Sequence, residues 1–227
     1  MTNPLPFHKR DFLQPHRFRR RMRAVILGRR PGEAAVRRMI APAISGAAFM
    51  GALARSPRTI GACVPSSKML SRMMATEVSL PVDGVVVELG GGTGRITSAL
   101  LERGVPPEQL VVVEQSPSLA DLLRKRFPKV QIIQGDAAFC YSQIPGSPRV
   151  HAVVSGLPLL SLPKVVVENI ICQISSMLAA DAPLIQFTYR LNGRGPLHAT
   201  FDSLHFRTIL FNIPPARVEV FRRRESR

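Results

Sequence analysis

The sequence predicts an α/β fold in which a mostly parallel, seven-stranded sheet carries helices on both faces and ends in an antiparallel hairpin. Three observations predict it. From Gly84 onward, short apolar runs alternate with segments whose apolar residues recur at helical spacing. A glycine-rich turn, Gly90-Gly91-Gly92-Thr93-Gly94, separates the first run from the helical segment that follows. Near the C-terminus two strand-like runs flank Pro214-Pro215 with no helical segment between them.

Residues 1–38 stand apart, with eleven Lys and Arg against only Asp11 and Glu33. A helix starting after Pro15 aligns Phe18, Met22, Val25 and Ile26 on one stripe, with Arg17, Arg19, Arg20, Arg21 and Arg23 on its flanks and back. That is the pattern of a segment lying in a membrane interface. A solvated charged tail and an Arg-rich transit peptide are the alternatives. Arg38 to Ser56 reads as an apolar helix stopped by Ser56-Pro57, which divides a helical extension, 1–56, from the main domain, 57–227. Pro65-Ser66-Ser67 caps a helix running to about Thr76.

Beyond it, strands are expected at Gly84–Leu89, Leu110–Glu114, Val130–Gln134, Val150–Ser155 and Pro183–Tyr189. Helices are expected at Ile96–Arg103, Ser118–Phe127 and Lys164–Ala179, and the hairpin at Phe206–Phe211 and Ala216–Phe221. Strands alternating with helices imply right-handed crossovers and a sheet covered on both faces.

Hydrophobic residues make up 45% of the chain and charged residues 20%, a folded rather than a disordered composition. The excess of 31 Lys+Arg over 15 Asp+Glu, a net +16, calls for an anionic partner: nucleic acid or an anionic bilayer. Cys63, Cys140 and Cys172 form no C-x-x-C pair, so neither zinc nor a disulfide framework is expected, and a reducing cytosol suits the chain. The longest uncharged run, Met39–Ala54, has 16 residues, short of the roughly 20 a spanning helix needs. No apolar h-region with a cleavage site follows the basic start.

Glu88-Leu89-Gly90-Gly91-Gly92-Thr93-Gly94 directly follows Val85-Val86-Val87. Glycines here let the backbone approach a ligand where a Cβ would collide. Glu114 closes the next strand, and in a doubly wound sheet that acid sits beside the glycine turn, where it can accept both hydroxyls of a ribose. A dinucleotide fingerprint needs glycine where Arg95 stands, and no Gly-Lys-Ser/Thr follows to make a P-loop. The E-x-G-x-G-x-G spacing instead resembles the first motif of class I methyltransferases, which implies a Rossmann-like domain using S-adenosylmethionine and releasing S-adenosylhomocysteine.

Three further features continue that resemblance in order: Glu114-Gln115, Gly135-Asp136-Ala137 after the third strand, and Ser155-Gly156-Leu157-Pro158 after the fourth. It implies that the turn Gly90–Gly94 holds the amino-acid half of the cofactor, with Glu88, Glu114 and Gln115 also among the cofactor-binding residues. Asp136 and Ala137 then meet the adenine, and Ser155, Gly156 and Leu157 lie beside the reactive methyl. Ser66 and Ser67, at a helix N-terminus, are placed to steady the cofactor carboxylate.

Methyltransferases of adenine amino groups carry N/D-P-P-Y or N-L-P-Y after the fourth strand. Here Ser155-Gly156-Leu157-Pro158-Leu159 lacks both the polar residue and the stacking aromatic. From about Ser56 to Arg224 the chain resembles the bacterial phospholipid N-methyltransferases, relatives of the rRNA adenine dimethylases. The matching stretches are Ser56-Pro57, Gly61-Ala62, Val64–Ser67, Glu88–Gly94, Ser155–Pro163, Gln186-Phe187-Thr188-Tyr189 and Asn212–Val218. The resemblance implies successive methylation of phosphatidylethanolamine towards phosphatidylcholine, by a protein bound peripherally to the inner face of the cytoplasmic membrane.

An attacking amine must be neutral, while its fully methylated product is a fixed cation, which an aromatic face stabilises by ~0.5–2 kcal/mol. With no Trp and two Tyr, Tyr189 at the end of the fifth strand is preferred over Tyr141 as substrate contact and catalytic candidate. Arg190, Arg194 and His198 follow it as donors to a head-group phosphate. An rRNA adenine N-methyltransferase is the competing enzyme, favoured by the charge, and a non-catalytic relative the third reading. No metal site is expected.

Overall fold

The computed structural model describes residues 68–210, 212 and 215–224. The extension with its stripe from Phe18 to Ile26, the helix expected over 38–56, and Ser66 and Ser67 lie outside the described residues. The elements, in chain order, are α1 (Lys68–Thr76), β1 (Val85–Leu89), α2 (Arg95–Arg103), β2 (Leu110–Glu114), α3 (Pro117–Arg126), β3 (Gln131–Gln134), β4 (Val150–Ser155), α4 (Lys164–Met177), β5 (Pro183–Thr188), β6 (Phe201–Ile209) and β7 (Ala216–Arg223).

They build one seven-stranded sheet in the order β3-β2-β1-β4-β5-β7-β6. β1 to β5 are mutually parallel, and β7 runs antiparallel between β5 and β6. The central strands read as unbroken apolar runs because both of their faces are covered. Val86, Val112, Val154 and Ile185 pack with Leu70, Met74 and Leu100 of α1 and α2 on one face. Val87, Val113, Val153 and Leu184 pack with Ile170 and Ile174 of α4 on the other. Leu100 is fully buried, and its truncation to Ala is expected to cost about 2–5 kcal/mol.

The chain leaves β1 towards β2 and β3 on one side and returns to β4 and β5 on the other, so the order reverses between β1 and β4. At such a switch point the loops after both strands diverge and leave a crevice at their carboxyl ends. Here the loops are tied to the sheet edge: the Gly90 amide donates to the Val113 carbonyl, and the Gly156 amide to that of Leu89, each at 2.8 Å.

Several boundaries shift by one or two residues from the sequence reading, and those of β6 and α4 have a plain physical reason. β6 begins at Phe201, five residues before Phe206, because Asp202 to His205 pair with β7 across an irregularity at Ser203/His205. It is an edge strand exposed along most of its length, so it lacks the apolar alternation by which strands are recognised. α4 stops at Met177 because Leu178 turns extended and bridges Val150. Just past α1, Glu77 binds both His205 and Arg207 of β6, at 2.8 and 3.1 Å. Among the described residues no helix is long and apolar enough to cross a membrane.

Candidate functional site

The turn after β1 is built from glycines for two separate reasons. Gly90, Gly92 and Gly94 have φ of +80°, +53° and +79°, in the left-handed region that side chains disfavour. Packing adds the second. A Cβ on Gly90 would come within 2.7 Å of Leu157, one on Gly91 within 2.5 Å of Val112, and one on Gly94 within 2.5 Å of the Phe127 ring. At Gly92 a Cβ would meet nothing within 4 Å, which makes this the open side of the turn. Gly94 also begins α2, whose N-terminus receives no side-chain cap.

Glu88 lies fully buried at the foot of the turn. Its Oε2 accepts the Thr97 hydroxyl at 2.7 Å, while Oε1 has no hydrogen-bond partner. Burial pushes its carboxyl up to about 8, against the opposing hydrogen bonds from Thr97. Glu114, also buried, accepts the Gly92 amide on Oε2 and the Ser116 amide on Oε1, both at 2.8 Å. Each oxygen keeps a second lone pair for a ligand hydroxyl. Asp136 accepts the Ala138 amide at 2.9 Å on one oxygen and the Gln115 side-chain amide at 3.1 Å on the other. Gln115 therefore braces the acid expected at the adenine. Thr93 contributes its carbonyl, which accepts from Arg126 at 2.9 Å.

These residues fit S-adenosylmethionine. The unpartnered Glu88 oxygen suits an ammonium, the open face of Gly92 leaves room for a bound chain, and Glu114 offers paired acceptors to a ribose. Among the described residues, no group of three or more His, Cys, Asp or Glu side chains gathers to hold a metal ion.

The loop after β4 meets the glycine turn directly: a Cβ on Gly156 would lie 2.9 Å from the Gly90 carbonyl oxygen. Ser155 is fully buried, and its hydroxyl accepts the Leu157 amide at 3.4 Å. From β5, Gln186 donates its side-chain amide to the carbonyls of Leu157, at 2.9 Å, and Phe187, at 2.7 Å. Gln186 was visible in the sequence only as part of a family motif. Its signal was a lone polar residue inside the apolar run Leu184-Ile185-Gln186-Phe187.

Beside this loop lies a cavity of about 340 Å³, lined by residues 158–161, 186–190 and 195–198 with Arg217, Glu219 and Phe221. Tyr189 is among its lining residues, and its ring lies edge-on to Phe187 at 5.4 Å against the core of the α1/α2 face. Arg190 and His198 also line it. Arg194 does not; it is exposed, and its carbonyl accepts Arg190 Nη1 at 3.4 Å. His198 has both ring nitrogens engaged: Nδ1 accepts the Gly195 amide at 3.1 Å, and Nε2 lies 3.0 Å from Glu219. An Nδ1 that accepts leaves the proton on Nε2, which donates to Glu219. His198 is thus committed to two protein partners, while Arg190 is exposed. Tyr141 packs against the core on the α4 face and does not line the cavity.

Sequence reasoning missed the charged floor of this cavity. Arg217 and Glu219 are both buried and joined at 2.8 Å. Arg217 also reaches the carbonyls of Leu191 and Gly193, at 3.1 and 3.3 Å, and Ser203 donates to Glu219 at 2.7 Å. The signal was two charges at strand spacing in Arg217-Val218-Glu219-Val220, which share one face of β7.

A methyltransferase-domain family matches residues 86–181. An ornithine lipid N-methyltransferase from Singulisphaera acidiphila is 33% identical over 145 residues, 62% of this chain and 76% of that protein. A ribosomal RNA small subunit methyltransferase A from a Synechococcus species is 38% identical over 76 residues, but the match spans only 24% of that protein. Among solved structures, a Burkholderia thailandensis 1,6-didemethyltoxoflavin-N1-methyltransferase, determined with S-adenosylhomocysteine, superposes with a TM-score of 0.59 at 15% identity. That match covers 99% of this chain and 94% of that one. The N-methyltransferase NodS of Bradyrhizobium japonicum, also with S-adenosylhomocysteine, gives 0.55 at 16% identity, covering 68% and 86%. The glycine turn, the paired acceptors of Glu114 and these likenesses converge: the chain belongs to the class I S-adenosylmethionine-dependent methyltransferases, in the family of the ornithine lipid N-methyltransferase.

Proposed function

We propose that this enzyme N-methylates phosphatidylethanolamine, and its mono- and dimethyl derivatives, towards phosphatidylcholine at an anionic membrane surface. The observation that carries the reading is the cavity beside the loop after β4, with Tyr189 and Arg190 among its lining residues. A small amine head group fits there, and the loop itself lacks the polar residue and aromatic that grip a planar base.

S-adenosylmethionine supplies a methyl already activated on a sulfonium. The chain must align a neutral amine nitrogen behind that methyl and keep water away. As the nitrogen–carbon bond forms, the carbon–sulfur bond breaks. S-adenosylhomocysteine leaves. The first two products are ammonium ions that give up a proton to bulk solvent after the transfer, whereas the third is a fixed trimethylammonium with none to lose. Gln186 fixes the Leu157 carbonyl at the junction of the two half-sites. Tyr189 offers a ring face to the growing cation, and Arg190 a guanidinium to the head-group phosphate. In the same reading, the apolar residues Phe18, Met22, Val25 and Ile26, with the arginines that flank them, hold the protein on the cytoplasmic face of the membrane.

The relative from Singulisphaera favours a second lipid substrate, since an ornithine head group also ends in a primary amine. Labelled S-adenosylmethionine, incubated with vesicles of phosphatidylethanolamine, vesicles of ornithine lipid, or ribosomal RNA, decides among them. Label in phosphatidylethanolamine is the expected result. Label confined to ornithine lipid moves the assignment to the second reading, and label confined to RNA overturns both.

A further inference from the structure

The surplus of positive charge is unevenly spread along the chain. Residues 68–182 hold ten Lys and Arg against ten Asp and Glu, whereas residues 183–224 hold seven arginines against two acids, Asp202 and Glu219. Arg190 and Arg194 are exposed in the loop after β5, and Arg190 lines the cavity. Among the described residues, neither pairs with a carboxylate.

Three exposed apolar side chains gather at the same place. Leu160 lines the cavity and is 49% exposed. Leu191 is 36% exposed, and its carbonyl takes the Arg217 guanidinium. Phe206 is 57% exposed, with its ring 5.0 Å from that guanidinium. Arg217 itself lines the cavity, so the Leu191 main chain and the Phe206 ring lie one side chain away from its lining. A single exposed leucine is ordinary, but apolar residues grouped around one opening mark a contact surface.

The cavity volume of about 340 Å³ admits a head group but not a pair of acyl chains. A lipid presented there must leave its chains elsewhere, and withdrawing them into water is opposed by the hydrophobic effect. We propose that the rim is a docking collar for an anionic bilayer. Leu160, Leu191 and Phe206 enter the head-group layer, Arg190 and Arg194 meet its phosphates, and the cavity opens onto the lipid in place. The inference rests on reading the substrate as a membrane lipid. Its residues are different from those of the N-terminal stripe.

The test is vesicle partition of the full-length chain and its Leu191→Glu variant, measured over a titration of phosphatidylglycerol vesicles. Leu191 is exposed and outside the cavity lining, so calorimetry should find its cofactor affinity unchanged. The partition coefficient should fall about tenfold or more, because a carboxylate replaces an inserting side chain beside anionic lipid. Because a coefficient is measured, a second contact elsewhere in the chain scales both coefficients alike and leaves their ratio readable. Arg194→Gln should lower partition at 0.1 M salt and have little effect at 1 M, where screening is short-ranged.

An unchanged partition coefficient for Leu191→Glu overturns the collar. Methyl transfer to phosphatidylethanolamine vesicles reads the substrate separately. If the intact chain methylates no lipid while Leu191→Glu loses partition, the collar stands and the substrate reading falls. If the variant partitions and turns over like the intact chain, the collar falls and the substrate reading stands.

Discussion

Glu114 and Gly92 are joined across the cofactor crevice: the carboxylate that ends β2 accepts the amide at the open point of the turn after β1, at 2.8 Å. One side chain thus shapes the turn and keeps lone pairs that suit the hydroxyls of a ribose. Its other oxygen holds the Ser116 amide at the start of α3. Replacing it with Ala should weaken S-adenosylmethionine binding about tenfold or more, since hydrogen bonds to charged groups contribute roughly 1.5–3 kcal/mol. It also strands two amides, so a modest loss of thermal stability should accompany the change. Titration calorimetry with unchanged affinity would refute the role.

The glycines of the turn should separate by what a side chain meets. At Gly92 there is open space, so Gly92→Val should leave a folded chain, strained by its positive φ, that has lost cofactor binding. Gly94→Ala instead drives a Cβ into the Phe127 ring at 2.5 Å and should lower stability by about 1–3 kcal/mol through overpacking. Circular dichroism melts and calorimetry on the two variants check this division. Equal melting losses in both would contradict it.

Burial holds the Glu88 carboxyl at about 8 instead of its ordinary 4.5, so between those values the folded chain keeps a proton that the unfolded chain has released. The resulting contribution is constant below about pH 4.5, falls as pH rises to about 8, and then levels. Glu88→Gln should abolish that slope. Between pH 6 and pH 9 the parent should lose on the order of 1–3 kcal/mol more than the variant in urea unfolding. An ammonium bound at Glu88 requires the carboxylate, so cofactor affinity should rise with pH through the same range. Parallel stability curves for the two proteins would count against the assignment.

Tyr189 is among the lining residues of the cavity, with its ring edge-on to Phe187. Tyr189→Ala should cut methyl transfer while leaving cofactor affinity nearly unchanged, with the deficit growing as the acceptor gains methyls and fixed charge. Turnover at saturating cofactor on the three successive lipid acceptors measures it. Normal turnover at saturation, with the whole loss in cofactor affinity, would place Tyr189 on the wrong side of the sulfonium.

The floor of the cavity offers a stability test. Glu219→Ala leaves the Arg217 guanidinium buried without its counter-ion and should cost about 3–5 kcal/mol, as breaking one partner of a buried pair does. The double change Arg217→Met with Glu219→Met should cost less than Glu219→Ala alone, because no unpaired charge remains. Denaturant unfolding of the single and double variants reads the difference, and a double variant weaker than the single would show that packing dominates there.

The division between sequence and structure follows from how each feature is encoded. β1 to β5, α1 to α4, the glycine turn, Glu114 and Asp136 are legible in the chain itself. A buried parallel strand needs an unbroken apolar run, and a turn that approaches a ligand needs glycine at fixed spacing. The fold class follows from those local patterns and their order, and the cofactor from the resemblance of the glycine turn to the first motif of class I methyltransferases. The first five residues of β6 are not legible, because an exposed edge strand has no buried face to impose alternation. Nor is the substrate half of the site. Gln186 meets Leu157 across 29 positions, and Arg217 meets the Leu191 carbonyl across 26. His198 and Glu219 become partners only when β7 inserts between β5 and β6. Contacts between residues so distant in the chain leave no periodic trace in it. They are set by sheet order and by the burial that forces each polar group to find a partner, and only the tertiary structure decides both.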